Sequence, residues 1–127
     1  MQFTVYGKPR GKQRPRFNRT TKTTYTPVQT IEYERQIRQA YTAAGGGMLS
    51  ETEPISVLIE AEYVKARTSR KKQPTLKPDW DNIGKVVSDA LNGMAYKDDA
   101  QIVTATIHKC WAKDDIPKIT VAIGVIG

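Results

Sequence analysis

At 127 residues, with 39% apolar side chains and 26% charged ones, the chain is long enough to enclose one modest core and too apolar for wholesale disorder. No apolar run approaches the ~20 residues of a membrane-spanning helix, and the N-terminus lacks the basic-then-apolar layout of a secretory leader. The net charge of +7 is concentrated: residues 1–31 hold seven bases and residues 65–78 hold six, neither with an acid, while the remainder is net acidic, a distribution suited to a polyanion such as nucleic acid.

In chain order, Phe3 and Val5 alternate in a short first strand over residues 2–6, which Gly7 ends. Residues 8–17 carry Lys8, Arg10, Lys12, Arg14 and Arg16 at every second position, with Pro9 and Pro15 between them. Neither a helix nor a central strand tolerates that pattern, so the segment reads as a loop or an edge extension for binding DNA. Phe17 and Tyr25 flank it and are expected to pack the loop onto the domain, with stacking on an unpaired base the alternative. A helix follows, with Thr26 as N-cap and Pro27 at its first position. Tyr33, Ile37, Ala40, Tyr41 and Ala44 share its apolar face, and Gly45-Gly46-Gly47 stops it. No Gly-Lys-Ser/Thr follows the glycines, so they are a helix stop and not a phosphate loop.

Ile55, Val57, Ile59, Ala61 and Tyr63 alternate in a second strand, which leaves Leu58 and Val64 on the opposite side. The second basic segment comes next, with Arg70, Lys71 and Lys72 as further DNA-binding candidates, chosen on charge alone. After the acidic turn at 78–81, Ile83, Val86, Val87, Ala90 and Leu91 form a helical stripe that Asn92-Gly93 terminates. Strands over 101–111 and 118–125 complete the chain, joined by Asp114-Asp115-Ile116-Pro117, whose acids read as turn formers. Val103, Ala105 and Ile107 alternate in the first of these strands, and Ile119, Val121, Ile123 and Val125 in the second. His108 is the only histidine and is taken as structural. Cys110 is alone, so no internal disulfide forms, a cytoplasmic setting fits, and a small buried side chain is expected there. The order β-α-β-α-β-β predicts one α+β domain over 1–127, a small mixed sheet covered by two helices.

The chemistry concentrates in Lys77-Pro78-Asp79-Trp80-Asp81-Asn82-Ile83-Gly84-Lys85 and in Asp98-Asp99. In an extended segment Asp79 and Asp81 leave on one side and Trp80 on the other. Two like charges that close are explained by a cation between them, and hard oxygen donors point to Mg²⁺. Asp98 or Asp99 can supply a further carboxylate, and Lys85 shares a helical face with Asp81. The competing reading makes Asp81 a helix cap paired with Lys85 at i,i+4.

The run Asp79-x-Asp81-Asn82-x-x-Lys85-x-x-x-Asp89-Ala90-Leu91-Asn92-Gly93, with Asp98-Asp99-Ala100-Gln101 after it, resembles RusA-type Holliday junction resolvases. Gly7-Lys8-Pro9-Arg10-Gly11-Lys12-Gln13-Arg14-Pro15-Arg16 and Tyr25-Thr26-Pro27 are similar to phage- and prophage-borne members. The resemblance implies a homodimeric, Mg²⁺-dependent endonuclease that nicks four-way DNA junctions symmetrically, with no small-molecule cofactor and no membrane partner. It matches Asp79, Asp81 and Asp99 to the family's metal-binding acids and Lys85 to its catalytic lysine. It implies a bacterial or phage-infected cytoplasm. The rival readings are a general nuclease, whose acid-x-Lys pair is missing after the first aspartate, a small-molecule phosphohydrolase, and a non-catalytic basic protein binding branched DNA.

Overall fold

The computed structural model describes residues 1–127. Six strands and two helices run β1 (Gln2–Tyr6), β2 (Arg16–Asn18), β3 (Thr23–Tyr25), α1 (Val28–Ala43), β4 (Ile55–Tyr63), α2 (Trp80–Leu91), β5 (Ile102–Trp111) and β6 (Lys118–Val125), with a single 3₁₀ turn at Asp99–Gln101 before β5. The main sheet has the order β1-β6-β4-β5. β6 pairs antiparallel with both β1 and β4, and β4 pairs parallel with β5 through the α2 crossover. The α+β class, the mixed sheet and its two helices match the expectation.

Alternation buries Phe3 and Val5 of β1, Val57, Ile59, Ala61 and Tyr63 of β4, and Ile119, Val121 and Ile123 of β6. These meet Tyr33, Ile37 and Tyr41 of α1 and the complete expected stripe of α2, from Ile83 to Leu91, in one core. Each fully buried Ile, Leu or Val adds roughly 1.5–3 kcal/mol. Phe3 meets Tyr41 edge to face, with centroids 5.5 Å apart. α2 ends as its sequence predicts: Gly93 takes φ +78, which a side chain would resist.

Several details depart from the sequence reading. A second, two-stranded sheet of β2 and β3, separate from the main sheet, stands where a loop or an edge extension is expected. Phe17 and Tyr25 do not pack onto the domain: they are 59% and 47% exposed. Helix α1 starts one residue late, because Pro27 is extended at ψ 142 and acts as the cap itself, with no help from the Thr26 side chain. Val103 is 63% exposed because the β4–β5 register shifts there: Ile102 opposes Ile55 and Thr104 opposes Ser56, so Ile102 and Ile107 pack against the core, while Ala105, on the same side, is exposed to a cavity. Ala44 and Val125, expected on apolar faces, are exposed at element ends. His108 is exposed on β5, and Cys110 is half-buried, its thiol pushed up by burial and by Glu62 and Glu60. Asp114 forms the expected turn, accepting from Ile116 N–H at 3.1 Å and from Lys118.

Candidate active site

The acidic turn is set by its neighbours on both sides. Tyr63, the last residue of β4, donates its hydroxyl to Pro78 O at 3.3 Å, which holds the turn at the sheet's end. Burial and then the charge of Asp79 push that phenol up to about 12. Asp79 is the N-cap position of α2 but caps nothing with its side chain. Its carboxylate instead takes Lys77 Nζ at 2.9 and 3.1 Å. Asp81 lies in the first turn, where the helix dipole favours an anion, and accepts only from Asn82 N–H at 3.0 Å. The pairing of Asp81 with Lys85 offered by the competing reading is not formed. Lys85 pairs with Asp89 at 3.1 Å, one turn further along.

The first basic segment lies against this helix. Lys12 N–H donates to Asn82 O at 2.9 Å. A Cβ on Gly11 would stand 2.8 Å from both Pro78 Cβ and Asn82 Cβ, so only glycine allows that approach. Lys12 Nζ lies between Glu34 of α1, at 3.1 Å, and Asp89, at 3.2 Å. Burial opposes its charge, but the bonds to Glu34 and Asp89 prevail and its pKa is raised. Lys12 is therefore a clamp between the loop and both helices. Lys8, Arg10, Arg14 and Arg16 keep no acidic partner. They line a groove of about 790 Å³ that Asp79 and Asp81 also line.

Asp81 also lines a second, apolar cavity of about 340 Å³, shared with Trp80, Lys85, Asp99 and the inner faces of β4 and β5. Asp98 and Asp99 divide their work. Asp98 caps the 3₁₀ turn, accepting from Ala100 N–H at 3.0 Å, and Gln101 completes a capping box. The Gln101 amide donates to Ser50 O and Glu53 O, which ties the turn to the start of β4. The bond from Ala100 holds the Asp98 carboxyl below the usual range, while hydrogen bonding to Asp98 and then burial push Asp99 up. The neighbouring charge of Lys85 lowers Asp99 in part.

Carboxylate oxygens are what Mg²⁺ takes, and such an ion needs only one or two from the protein. Asp81 and Asp99, which line one cavity, meet that requirement. No three His, Cys, Asp or Glu side chains gather closely enough to enclose an ion, and Asp79 is engaged by Lys77. Of the expected site residues, then, Asp79 and Asp81 share one groove with Lys8, Arg10, Lys12, Arg14 and Arg16, while Asp81, Lys85 and Asp99 share the cavity beside it. Arg70, Lys71 and Lys72 line neither and are exposed. Asp89, which stands in the sequence motif without an assigned role, links Lys12 and Lys85, and its i,i+4 spacing from Lys85 is a usable signal of that pairing. Gln101, at the end of the Asp98-Asp99-Ala100-Gln101 run, likewise gains its capping role only from the structure.

The model of the family described as endodeoxyribonuclease RusA matches residues 6–124. "Uncharacterized protein YqaN" of Bacillus subtilis (strain 168) is similar at 31% identity, over 97% of this chain and 94% of that protein. The family match runs from the last residue of β1 to the penultimate residue of β6, through both the basic and the acidic walls of the groove, and the chain belongs to the RusA endodeoxyribonuclease family.

Proposed function

We propose that this protein is a Mg²⁺-dependent endonuclease that resolves four-way DNA junctions by paired nicks, working as a homodimer in the cytoplasm of a bacterial or phage-infected cell. The observation that carries the reading is the groove itself: four cations without acidic partners share it with two aspartates, Asp79 at the N-cap of α2 and Asp81 in its first turn. Lys8, Arg10, Arg14 and Arg16 hold the DNA backbone by charge, and Arg70, Lys71 and Lys72 form an outer contact. The free N–H groups at the start of α2 suit a phosphate oxygen.

Asp81 and Asp99, joined by Asp79 once its carboxylate leaves Lys77, would hold Mg²⁺, which when bound makes water more acidic and offsets charge on the scissile phosphate. Lys85, tethered by Asp89, presents a compact positive charge to the cavity lined by Asp81 and Asp99 and meets charge developing on the phosphate or the leaving oxygen. Cleavage leaves a 5′-phosphate and a 3′-hydroxyl. A junction needs two opposed nicks, and one chain supplies one acidic cluster, so two-fold pairing matches protein to substrate. Leu58 and Val64, 41% and 45% exposed, are the proposed dimer contact. Light scattering should return about twice the 14.2 kDa chain mass.

The test is incubation with a synthetic four-way junction, linear duplex and single strands, with and without Mg²⁺. Paired nicks on the junction alone, and only with Mg²⁺, support the reading. Tight junction binding with no cleavage under any divalent ion would favour the non-catalytic alternative, which the engagement of Asp79 by Lys77 recommends as the second reading.

A further inference from the structure

The hairpin of β2 and β3 is the element that the chemistry of the groove leaves without a role. Its strands pair only with each other, as Arg16 with Tyr25, Phe17 with Thr24 and Asn18 with Thr23. Every residue from Arg14 to Tyr25 is exposed, and neither Phe17 nor Tyr25 belongs to the core. A lone two-stranded ribbon is marginal in water, so this one relies on its turn. Asn18 Oδ1 accepts from Thr20 N–H at 2.9 Å and Thr21 N–H at 3.2 Å, and the hydroxyls of Thr21 and Thr23 meet at 2.6 Å. The ribbon is thus formed before any partner arrives, and its two aromatic rings stay in water at 59% and 47% exposure.

Its charge points to the partner. Arg16, Arg19 and Lys22 are on it, no acid is, and none of the three makes an ion pair. Alternation sets Phe17 on one face and Arg16 with Tyr25 on the other. Exposed rings interleaved with unpaired cations suit a ligand that offers π-faces and phosphates together, which is nucleic acid with bases out of the stack. Arg16 also lines the groove that holds Asp79 and Asp81, so the base of the ribbon adjoins the acids.

We propose that this hairpin recognises the branch point: Phe17 and Tyr25 stack on the base faces left uncovered where stacking is interrupted between the DNA arms, and Arg16, Arg19 and Lys22 hold the flanking phosphates. The inference rests on the junction-cleaving reading above. A linear duplex keeps its bases stacked on one another and offers phosphates alone, so the two rings contribute to binding only on branched DNA.

The experiment compares the full chain with its F17A/Y25A double variant on a four-way junction and on a linear duplex of the same arm sequence, both without divalent metal. Loss of stacking should weaken junction binding by roughly tenfold or more, with duplex binding within about twofold. The F17Y/Y25F variant should restore junction preference. 2-Aminopurine at the crossover should change its fluorescence with the wild-type chain and not with the double variant. Both rings are exposed, so the melting temperature should hold. Equal loss on the two DNAs, or undiminished junction preference, overturns the hairpin's role while leaving the nuclease reading in place. A wild-type chain that neither prefers nor cuts junctions in Mg²⁺ overturns that reading first.

Discussion

Residues 8–16 and residues 65–77 hold five and six cations respectively, with no acid in either, yet the fold uses them differently. The first segment is drawn onto α2 by a backbone bond from Lys12 to Asn82, by the close approach at Gly11, and by Lys12 itself between Glu34 and Asp89. Its remaining cations line the groove that Asp79 and Asp81 also line. The second segment is held through its carbonyls: Trp111 Nε1 donates to Lys71 O at 3.2 Å, and Lys109 Nζ donates to Leu76 O. Lys65 lies 6.0 Å over the Trp111 ring, and of the six cations only Lys77 reaches the acids. Charge along a sequence selects a polyanionic partner. The bonds that fix the backbone decide which of those charges stand beside Asp79 and Asp81.

The strongest test of that division removes the acids beside the first segment. Asp81→Asn and Asp99→Asn should each cut junction cleavage by roughly 10³ or more, with binding unchanged or tighter because negative charge near phosphate has been removed. Asp79→Asn should do the same if the carboxylate leaves Lys77 for the metal. Asp98→Asn should cost far less, since that side chain caps the turn at Ala100. Mobility shift beside a cleavage assay reads both quantities. Equal damage from the two neighbours would give Asp98 a share of the chemistry.

Lys85→Ala comes next, with a loss of roughly 10²–10³ in rate if it stabilises charge as oxyanion-hole donors do. Lys85 itself is exposed, although its partner Asp89 is half-buried, and an i,i+4 helix pair is worth only about 0.3–0.5 kcal/mol, so the melting temperature should barely move. A large thermal loss with intact kinetics would make the lysine a helix brace.

Which parts of this were legible in the sequence follows from range. The stripe from Ile83 to Leu91 and the stop at Gly93 depend on neighbours within a few positions, and both are present as read. The proximity of Asp81 and Lys85 to one cavity is equally local. The hairpin was not legible, because Arg16–Asn18 and Thr23–Tyr25 bury nothing and so carry no apolar alternation to detect. Val103 misled because a period of two assumes unbroken pairing, and the register shift at Ile55/Ser56 breaks it. Lys12 read as a DNA contact since its acidic partner Glu34 lies 22 residues away, a contact that only the fold creates.

That clamp makes the third prediction. Lys12→Met should destabilise the protein by about 1.5–3 kcal/mol, the range for hydrogen bonds to charged groups, seen as a lower urea midpoint at pH 7. The ammonium is favoured in the folded state, its pKa being raised above 10.5. Its contribution is therefore complete below pH 10.5 and is lost as pH rises through the folded value. The gap between wild type and variant should narrow at strongly alkaline pH. A gap that persists there would assign the loss to packing of the lysine stem.

The smallest effect belongs to the second segment. Neutralising Arg70, Lys71 and Lys72 together removes three exposed charges that no acid contacts. Each phosphate contact that they make should lower the slope of log affinity against log salt by roughly 0.9, and the same experiment on Arg10, Arg14 and Arg16 gives the yardstick. The two triple variants remove equal charge, so long-range attraction falls alike in both, and any difference reports on contact. We expect the first triple to lose more slope and, on bound DNA, to cut more slowly, because its side chains line the groove that holds Asp79 and Asp81. The second should lose some affinity at low salt and keep the wild-type rate once bound. If the second triple slows cleavage of bound junction as much as the first, residues 65–77 reach the scissile strand, and the distinction between a docked basic wall and an outer one fails.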